Sequence, residues 1–368
     1  MQSLKILQVC TRFAPYIGGT ETVALEISRE LAARGHAVTV VCADEPKVGD
    51  GVIEGIRVIR LPYQFKVANT NISLGLLPSL LREDFDVFHG HLPHPYFADL
   101  AALASRLKKR SFFLTYHNDT SGASPLASLL ASVHNTLFLP FILNSAETVF
   151  VSSDAYAARS RWLGKHKEKL TINLLGVDTT RFFRDQAIEK LPKSIFFLSV
   201  LDEFHRYKGL DLLLEAFMVL KQGIPELRLF VGGEGALRKE YEQFCFDKGI
   251  GDAVSFLGRL SDRDVFTWYN KAELFVLPTL QNSQEGFGLV PLEAMACGCK
   301  VVVSDVPAIA ADLPDESVFK AGDVNGCVSA LEFALDRPQQ TEPGLFEKYS
   351  WKRHVDVLVE EYGKAVGV

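Results

Sequence analysis

The sequence has little cysteine, and its six cysteines do not show the spacing of a metal site or of a disulfide framework. Most of them lie in apolar, strand-like runs, which favours reduced thiols in the core of a cytosolic protein. Cys297 and Cys299 are too close together for a zinc site, and no second pair of cysteines or histidines lies nearby. We therefore expect no metal ion and no resident cofactor.

The sequence also lacks an excess of positive charge. Its net charge of −6 argues against a general nucleic-acid binder. Residues 1–185 carry 20 Lys and Arg against 17 Asp and Glu, and this mildly basic half suits an anionic acceptor or a membrane surface. The basic runs RLKKR (106–110) and RSRWLGKHKEK (159–169) are candidates for contact with anionic lipid. The alternatives are solvated helix faces and chance variation between two surfaces.

Long uninterrupted apolar runs are absent as well. The N-terminal run LKILQVC is followed at once by Thr11 and Arg12, so it is too short for a signal peptide. The longest apolar stretch, residues 124–143, contains His134 and Pro140 and therefore predicts a buried or interface-lying helix instead of a membrane span. We expect a cytoplasmic protein that is at most peripheral at the inner membrane face.

The sequence does contain a regular alternation of short apolar strands with helical segments. The predicted strands of the first half are residues 5–10, 37–43, 56–62, 85–91, 111–117, 148–153 and 170–175. Those of the second half are residues 194–200, 227–233, 253–258, 274–279 and 300–305. Such alternation is typical of parallel sheets covered by helices on both faces.

These two series predict an α/β protein with two Rossmann-like, doubly wound domains that face each other across a cleft. Ligands of such sheets bind at the carboxyl ends of the strands. The predicted domains are residues 1–185 and residues 186–350, joined near a strand-free linker at 184–193. An amphipathic helix at 351–368 is expected to pack back toward the first domain.

Residues 285–298 place two glutamates around the predicted start of a helix. Free backbone N–H groups at a helix N-terminus bind phosphate, and Gly286 and Gly288 would let the backbone approach an anion. Glu293 would then reach a ribose diol, and Glu285 would reach a sugar beyond the phosphates. In the alternative interpretation, Glu293 only favours the helix N-terminus and Glu285 is solvated.

Three further strand ends carry residues suited to an anionic sugar ligand. Lys208 and Arg206 precede a helix and could neutralise a diphosphate, or they could be surface cations. Gly18 and Gly19 could expose backbone N–H groups to an anion, or they could form a tight turn. His117 ends a strand and could bind a sugar hydroxyl or a departing phosphate, or it could be structural.

Taken together, these stretches resemble the family-four retaining glycosyltransferases of the GT-B fold. The most specific part is EGFGLVPLEAMACGCKVVVSD (285–305), which is similar to the E-x7-E block of that family. Supporting parts are GGTE after the first strand, TYHND, LLGVDTTRF, KGLDLLLEAF and the VGGEG turn. The resemblance covers nearly the whole chain.

The resemblance implies roles for particular residues. Glu293 would hold the nucleotide ribose, and Lys208 would neutralise the diphosphate leaving group. The residues implied as catalytic are His117, Lys208 and Glu285. The residues implied in donor binding are Gly18, Gly19, His205, Arg206, Gly232, Arg259, Phe287, Gly288, Leu289 and Glu293. The backbone N–H groups of Phe287, Gly288 and Leu289 would bind the phosphates.

The sequence departs from the family pattern at two places. Many members carry G-R-L six residues before the lysine, whereas this chain has SVLD with Asp202 in the position of the arginine. Either His205 or Arg206 replaces that arginine, or Lys208 acts with less help. The segment SDVPAI (304–309) lacks the usual glycine pair. Because of these departures, the sequence does not identify the nucleotide or the sugar of the donor.

The expected reaction is the transfer of a hexose from a UDP- or GDP-sugar to a hydroxyl of a glycan or glycolipid. The resemblance implies retention at the anomeric carbon. No metal ion is expected if Lys208 and the helix ends supply the positive charge, and the net charge predicts no nucleic-acid partner. An epimerase of the same fold and a non-catalytic nucleotide-sugar-binding protein are the alternatives.

Overall fold

The computed structural model describes residues 2–122, 124–280, 285, 287–337 and 344–368. The chain divides into two compact units. The first unit comprises Met1–Gly176 and Lys348–Val368, and the second comprises Val177–Glu347. The division therefore falls after Gly176, earlier than the predicted boundary after residue 185.

The earlier boundary has a local cause, because the stretch before residue 186 is bound to the second unit. Asn270 Nδ2 donates to the Phe183 carbonyl at 3.1 Å, and its Oδ1 accepts from the Asp185 N–H at 2.8 Å. The Arg184 guanidinium also donates to Asn270 Oδ1, at 3.2 Å. One buried amide thus attaches three successive residues to the second unit.

The first unit is built around a mostly parallel sheet. Its strands are β1 (Lys5–Val9), β2 (Ala37–Ala43), β3 (Gly51–Ile53), β4 (Ile56–Leu61), β5 (Phe65–Val67), β6 (Thr70–Ile72), β7 (Val87–Leu92), β8 (Ser111–Tyr116), β9 (Thr148–Val151) and β10 (Leu170–Ile172). The strand order among the described residues is β10-β9-β8-β7-β1-β2-β4-β3, and only β3 is antiparallel to its neighbour. The strands β5 and β6 form a separate antiparallel ribbon.

Helices cover this sheet. They are α1 (Gly19–Ala33), α2 (Leu76–Arg82), α3 (Phe97–Lys108), α4 (Pro125–Leu137), α5 (Leu139–Ser145) and α6 (Asp154–Arg159). Short 3-10 helices follow at Leu163–Lys165 and Lys167–Lys169. The face of α1 that the sequence marks as apolar is buried, including Val23, Ile27 and Leu31. The helix therefore packs as its 3.6-residue period predicts.

The second unit has a fully parallel sheet within the described residues. Its strands are β11 (Leu191–Leu198), β12 (Arg228–Gly232), β13 (Val254–Gly258), β14 (Ala272–Leu277), β15 (Lys300–Ser304) and β16 (Val318–Phe319). Their order is β13-β12-β11-β14-β15-β16. The order reverses between β11 and β14, and the carboxyl edge of the sheet at such a reversal is the usual ligand crevice of a doubly wound fold.

Helices also surround the sheet of the second unit. They are α7 (Leu210–Gly223), α8 (Arg238–Asp247), α9 (Asp262–Lys271), α10 (Leu289–Ala296), α11 (Val324–Asp336) and α12 (Leu345–Lys348). The 3-10 helices lie at Glu203–Lys208, Gly251–Ala253, Ala308–Asp312 and Asp315–Ser317. The sheet and helices enclose an apolar core that includes Phe197, Leu213 and Val231. This core fixes where the strands end.

The last helix, α13 (Trp351–Val366), belongs to the first unit and contacts α1 and β8. Its Val355, Leu358 and Tyr362 are fully buried, as the amphipathic pattern indicates. The Ser350 side chain accepts from the Arg353 N–H at 3.2 Å and marks the helix start.

No single helix among the described residues is long and apolar enough to cross a membrane. Only when taken together do α4 and α5 have the length and apolar composition of a membrane span, and the two helices are bent by 41° at their junction. In α5 the apolar side chains of Leu139, Ile142 and Leu143 are buried in the core of the first unit. The predicted helical stretch 124–143 is thus two helices with different surroundings.

Candidate active site

The loops after β11 and β14 bring Lys208 and Glu285 together at the crevice of the second unit. The Lys208 ammonium donates to Glu285 Oε2, and both side chains are largely buried. The Leu280 N–H donates to the Tyr207 carbonyl at 2.7 Å and joins the two loops. Gly209 has φ +81, and a Cβ there would lie 2.0 Å from the Pro278 oxygen. Glycine therefore permits the loops to approach closely enough for the ion pair.

Opposing effects act on the Lys208 ammonium. Burial alone lowers the pKa of Lys208, but the Glu285 carboxylate and the Tyr207 hydroxyl outweigh burial and raise it above its ordinary value. Burial raises the pKa of Tyr207 to about 12, so this hydroxyl remains protonated. The site therefore holds a charged lysine whose partner is a carboxylate.

The helix α10 begins at Leu289, shortly after Glu285. Gly288 has φ +83 and precedes the first helical residue, Leu289, while Phe287 is buried. The N–H groups of the first turn of a helix have no partner within the helix, so they can bind an anion. Leu289 is half-buried, and Gly286 lies outside the described residues.

Glu293 lies one turn into α10 and is half-buried. Its Oε2 accepts from the Tyr269 hydroxyl at 3.3 Å. Burial, and then the Glu293 carboxylate, raise the pKa of Tyr269 well above its ordinary value. Tyr269 therefore remains a hydrogen-bond donor and orients the Glu293 carboxylate, a contact that the sequence alone does not reveal.

The two residues suggested as replacements for the missing arginine have other partners. Asp202 begins the 3-10 helix, and its Oδ1 accepts from the His205 N–H at 2.9 Å and lies 2.7 Å from His205 Nδ1. The Arg206 guanidinium contacts three carboxylates, those of Glu203, Asp211 and Glu240. The hydrogen bonds that Arg206 donates to Glu240 and Asp211 raise its pKa. Among the described contacts, Arg206 is held by acids of its own 3-10 helix, α7 and α8, and not by the Lys208–Glu285 pair.

Gly232 and Arg259 lie at the ends of neighbouring strands. A Cβ at Gly232 would lie 2.8 Å from Leu260 Cδ1 and 2.9 Å from Leu198 Cδ1, so the absence of a side chain serves close apolar packing. Arg259 directly follows β13 and is exposed. The structure therefore gives Gly232 a packing role and leaves the Arg259 side chain in solvent.

In the first unit, Gly18 and Gly19 lie at the start of α1. A Cβ at Gly18 would lie 2.3 Å from Glu21 Oε2, whereas a Cβ at Gly19 would meet nothing within 4 Å. Glu21 is buried, and burial raises its pKa. A carboxylate therefore already lies at the helix N-terminus beside Gly18, while the backbone at Gly19 is open.

His117 follows β8 and ends a buried column of imidazoles in the first unit. Its Nε2 lies 3.3 Å from His91 Nδ1, and His91 Nε2 lies 2.8 Å from Gln8 Oε1. The His91 ring stacks on His117 at 5.5 Å and on His89 at 4.8 Å between centroids. His89 and His91 share one face of β7 because side chains alternate along a strand. The column joins side chains of β7 to the end of β8, a contact that the sequence alone does not reveal.

Burial lowers the pKa values of His117 and His91 well below the ordinary value, and that of His89 to about 3. The column is therefore neutral at neutral pH. With Gln8 Oε1 as acceptor, His91 carries its proton on Nε2 and accepts at Nδ1 from His117. His117 Nδ1 then bears a lone pair that can accept a hydrogen bond from a hydroxyl.

Among the described residues, no group of three histidine, cysteine, aspartate or glutamate side chains is arranged to hold a metal ion. All six cysteines are buried as free thiols.

Two family models match consecutive parts of the chain. Residues 17–181 match the model described as Glycosyltransferase Family 4, and residues 179–342 match the model described as Glycosyl transferases group 1. The boundary between the matches lies close to the division between the two compact units.

Curated relatives are similar along nearly the whole chain. The phosphatidyl-myo-inositol mannosyltransferase of Mycobacterium tuberculosis is 25% identical, over 99% of this chain and 98% of the relative. One of the subunits of phosphatidylinositol N-acetylglucosaminyltransferase from Arabidopsis thaliana is 26% identical, over 95% of this chain and 79% of the relative.

Solved structures are similar along the same length. The catalytic domain of starch synthase IV from Arabidopsis thaliana, bound to ADP and acarbose, has a TM-score of 0.73 at 17% identity and covers both chains fully. Anabaena Alr3699/HepE in complex with UDP-glucose has a TM-score of 0.70 at 16% identity, over 98% of this chain and 95% of that chain. These likenesses show the GT-B fold of two Rossmann-like units and confirm the predicted fold class.

Proposed function

The chain belongs to glycosyltransferase family 4, and from this premise we propose that it transfers a hexose from a UDP- or GDP-sugar to a hydroxyl group of a glycolipid or glycan. The observation that carries the proposal is the Lys208–Glu285 pair beside the N-terminus of α10. A nucleoside diphosphate needs positive charge and N–H donors, and its sugar needs hydroxyl acceptors. Lys208, the N-terminus of α10 and the carboxylates of Glu285 and Glu293 would supply all three.

The proposed chemistry is electrostatic. Charge builds on the diphosphate as the glycosidic bond breaks, and fixed donors stabilise it because they need no reorganisation. Lys208 and the N–H groups of Phe287, Gly288 and Leu289 would take this charge. Glu285, released from Lys208 by the phosphates, would accept hydrogen bonds from hydroxyls of the transferred sugar.

Other residues would orient the donor and the transferred sugar. Glu293, held by Tyr269, would bind the ribose diol. In the first unit, the open backbone at Gly19 would bind an anion. His117 would accept a hydrogen bond from the transferred sugar through Nδ1. We further propose retention at the anomeric carbon, with the leaving phosphate taking the acceptor proton.

We also propose that the reaction needs no metal ion, since Lys208 and the α10 N-terminus supply the positive charge. An assay with and without a chelator tests this point, and loss of transfer on chelation would contradict it.

The acceptor is proposed from the names of the two curated relatives, which refer to phosphatidyl-myo-inositol and to phosphatidylinositol. A lipid-linked acceptor implies peripheral contact with an anionic membrane. A cytoplasmic location is supported by the six buried free thiols, because such compartments keep thiols reduced.

Thermal-shift measurements with UDP- and GDP-sugars test the proposal, because a ligand that binds only the native state raises its melting temperature. We expect a rise with one nucleotide and transfer of its sugar to a phosphatidylinositol-containing acceptor. Sugar interconversion without an acceptor would indicate an epimerase. Binding without turnover on any acceptor would indicate a non-catalytic protein, and no shift with either nucleotide would contradict the proposal.

A further inference from the structure

The helix α4 presents an apolar face to solvent. Leu126, Leu129 and Leu137 are 66%, 60% and 66% exposed. The full set of exposed apolar side chains along this face and its end is Leu126, Leu129, Leu130, Val133, Leu137 and Phe138. Their spacing of three, four and seven residues places them along one side of a helix. A contiguous exposed apolar surface of this kind marks an interaction site.

The inner face of the same helix is polar. His134 Nε2 lies 2.9 Å from Asp99 Oδ1 at the start of α3, and Asn135 Nδ2 donates to the Thr120 carbonyl at 2.9 Å. Of the α4 side chains, Ala131, His134 and Asn135 are the buried ones. An ordinary surface helix buries its apolar side and exposes its polar side. Here the hydrogen bonds hold α4 in the opposite orientation, with the leucines outward.

The charge around this segment indicates what covers the apolar face. Residues 120–146 contain no Asp, Glu, Lys or Arg. Both basic runs of the sequence reach the far end of the segment, at α5. The Arg106 guanidinium lies 6.0 Å from the Phe141 ring centroid, and Lys169 Nζ donates to the Asn144 carbonyl at 2.6 Å. An uncharged apolar helix whose neighbour α5 is contacted by two cations matches an anionic bilayer, with the acyl region at α4 and phosphate headgroups at Arg106 and Lys169.

We propose that the outward face of α4 inserts into the surface of an anionic lipid bilayer. The occupant is a membrane and not a protein groove, because the face carries no charged or aromatic anchor before Phe138. The chain runs from His117, at the end of β8, through Thr120 to the start of α4. Insertion of α4 therefore brings this strand end to the membrane, where a lipid-linked acceptor presents its headgroup. The inference thus rests on the proposed function.

Vesicle sedimentation tests the inference with the full-length protein. The vesicles are phosphatidylcholine with or without phosphatidylinositol, at low and high salt. The test variant combines Leu126→Ser, Leu129→Ser and Leu137→Ser. The matched control combines Val52→Ser and Phe246→Ser, because these apolar residues are also highly exposed, at 71% and 77%.

We expect the unchanged protein and the control to bind vesicles that contain phosphatidylinositol. The triple variant should lose at least about tenfold in partitioning at both salt concentrations, since each leucine loses its burial in the acyl region. Its melting temperature without vesicles should not fall, because the replaced side chains are exposed. No vesicle binding by the unchanged protein, or equal binding by the triple variant, would overturn the inference.

Two further results distinguish membrane insertion from self-association and from a failure of the proposed function. If the unchanged protein self-associates in light scattering and the triple variant does not, while neither binds vesicles, a second copy covers the face and the inference is wrong. The triple variant should keep the melting-temperature rise with the donor and its transfer to a water-soluble acceptor. If the unchanged protein shows no donor-dependent rise, the proposed function fails, whereas vesicle binding can still be measured.

Discussion

From the sequence, Lys208 is expected to neutralise a diphosphate and Glu285 is expected to contact a sugar. The structure joins these two side chains in one ion pair. A buried ammonium without a partner would be costly, and the carboxylate offsets that cost while no donor is bound. In the proposed reaction, an arriving diphosphate would replace the carboxylate as the partner of the lysine and free Glu285 for sugar hydroxyls. This exchange needs no change in the charge of either side chain.

The backbone at Gly19 provides a second test at the scale of single residues. Gly19→Ala adds a methyl group into open space at the first position of α1. Alanine is favoured over glycine in helices by about 1 kcal/mol, so stability should rise slightly. If an anion lies against this backbone, donor-dependent transfer should nevertheless fall about tenfold or more. Melting temperature and kcat/KM measure the two effects.

Gly223→Ala is the matched control for this prediction, because Gly223 ends α7 and a Cβ there also meets nothing within 4 Å. It should raise or keep stability and leave transfer unchanged. Full activity of Gly19→Ala would remove Gly19 from the donor site.

Residue roles that depend on distant partners could not be predicted from the sequence. The sequence places Arg206 before a helix, as a cation near a diphosphate. Its partner Glu240 comes from α8 and lies far along the chain, so only the fold reveals that this guanidinium is engaged. The same is true of Tyr269, which orients Glu293 from α9.

At the scale of elements, the strand β7 makes the first unit sensitive to acid. It carries His89 and His91, and the neighbouring α13 carries His354. Burial lowers the pKa of His89 to about 3 and that of His354 to about 4. An exposed histidine titrates near pH 6.5. Below about that pH, the unfolded chain binds protons that the native chain does not, so stability falls as the pH drops.

We expect the free energy of unfolding to be flat above about pH 6.5 and to fall toward about pH 4, by on the order of 1.4 kcal/mol per pH unit for each such histidine. Urea unfolding across this range measures the slope. His89→Gln removes one titrating group, so its slope should be shallower even if its overall stability is lower. Leu129→Ser, which replaces an exposed and uncharged side chain outside the column, is the control and should keep the original slope. A slope that is unchanged in His89→Gln would refute this origin of acid sensitivity.

Most elements follow from local sequence patterns, and the exceptions have physical reasons. The bounds of α13 agree with the predicted amphipathic segment, because its apolar period is unbroken. The strands β3, β5 and β6 are only three residues long, so they are too short to show a hydrophobic period. The strands β3 and β5 are largely exposed, and the buried residues of β6, Thr70 and Asn71, are polar. The orientation of α4 is fixed by its hydrogen bonds to Asp99 and to the Thr120 carbonyl, which lie outside the helix. The composition of residues 124–143 could therefore not decide between a buried helix and an interface-lying helix.

At the scale of the whole molecule, each unit has its own doubly wound sheet, and in each the candidate residues follow the carboxyl ends of strands. This placement explains why residues far apart in sequence serve one purpose. In the second unit, Lys208 follows β11 and Glu285 follows β14, the two strands at which the order reverses. The fold was predictable because strand alternation is a local signal, whereas the pairing of these two side chains is a consequence of strand order.

The central claim is that the crevice of the second unit binds the diphosphate and ribose of an activated sugar. The most direct measurement is the transfer rate of Lys208→Ala and of Glu293→Ala with the donor that raises the melting temperature, with Lys239→Ala as an exposed control in α8. We predict that each of the two site variants loses about 100-fold or more in kcat/KM while its circular dichroism is unchanged, and that the control keeps its rate. Near-normal transfer by both site variants would contradict the account.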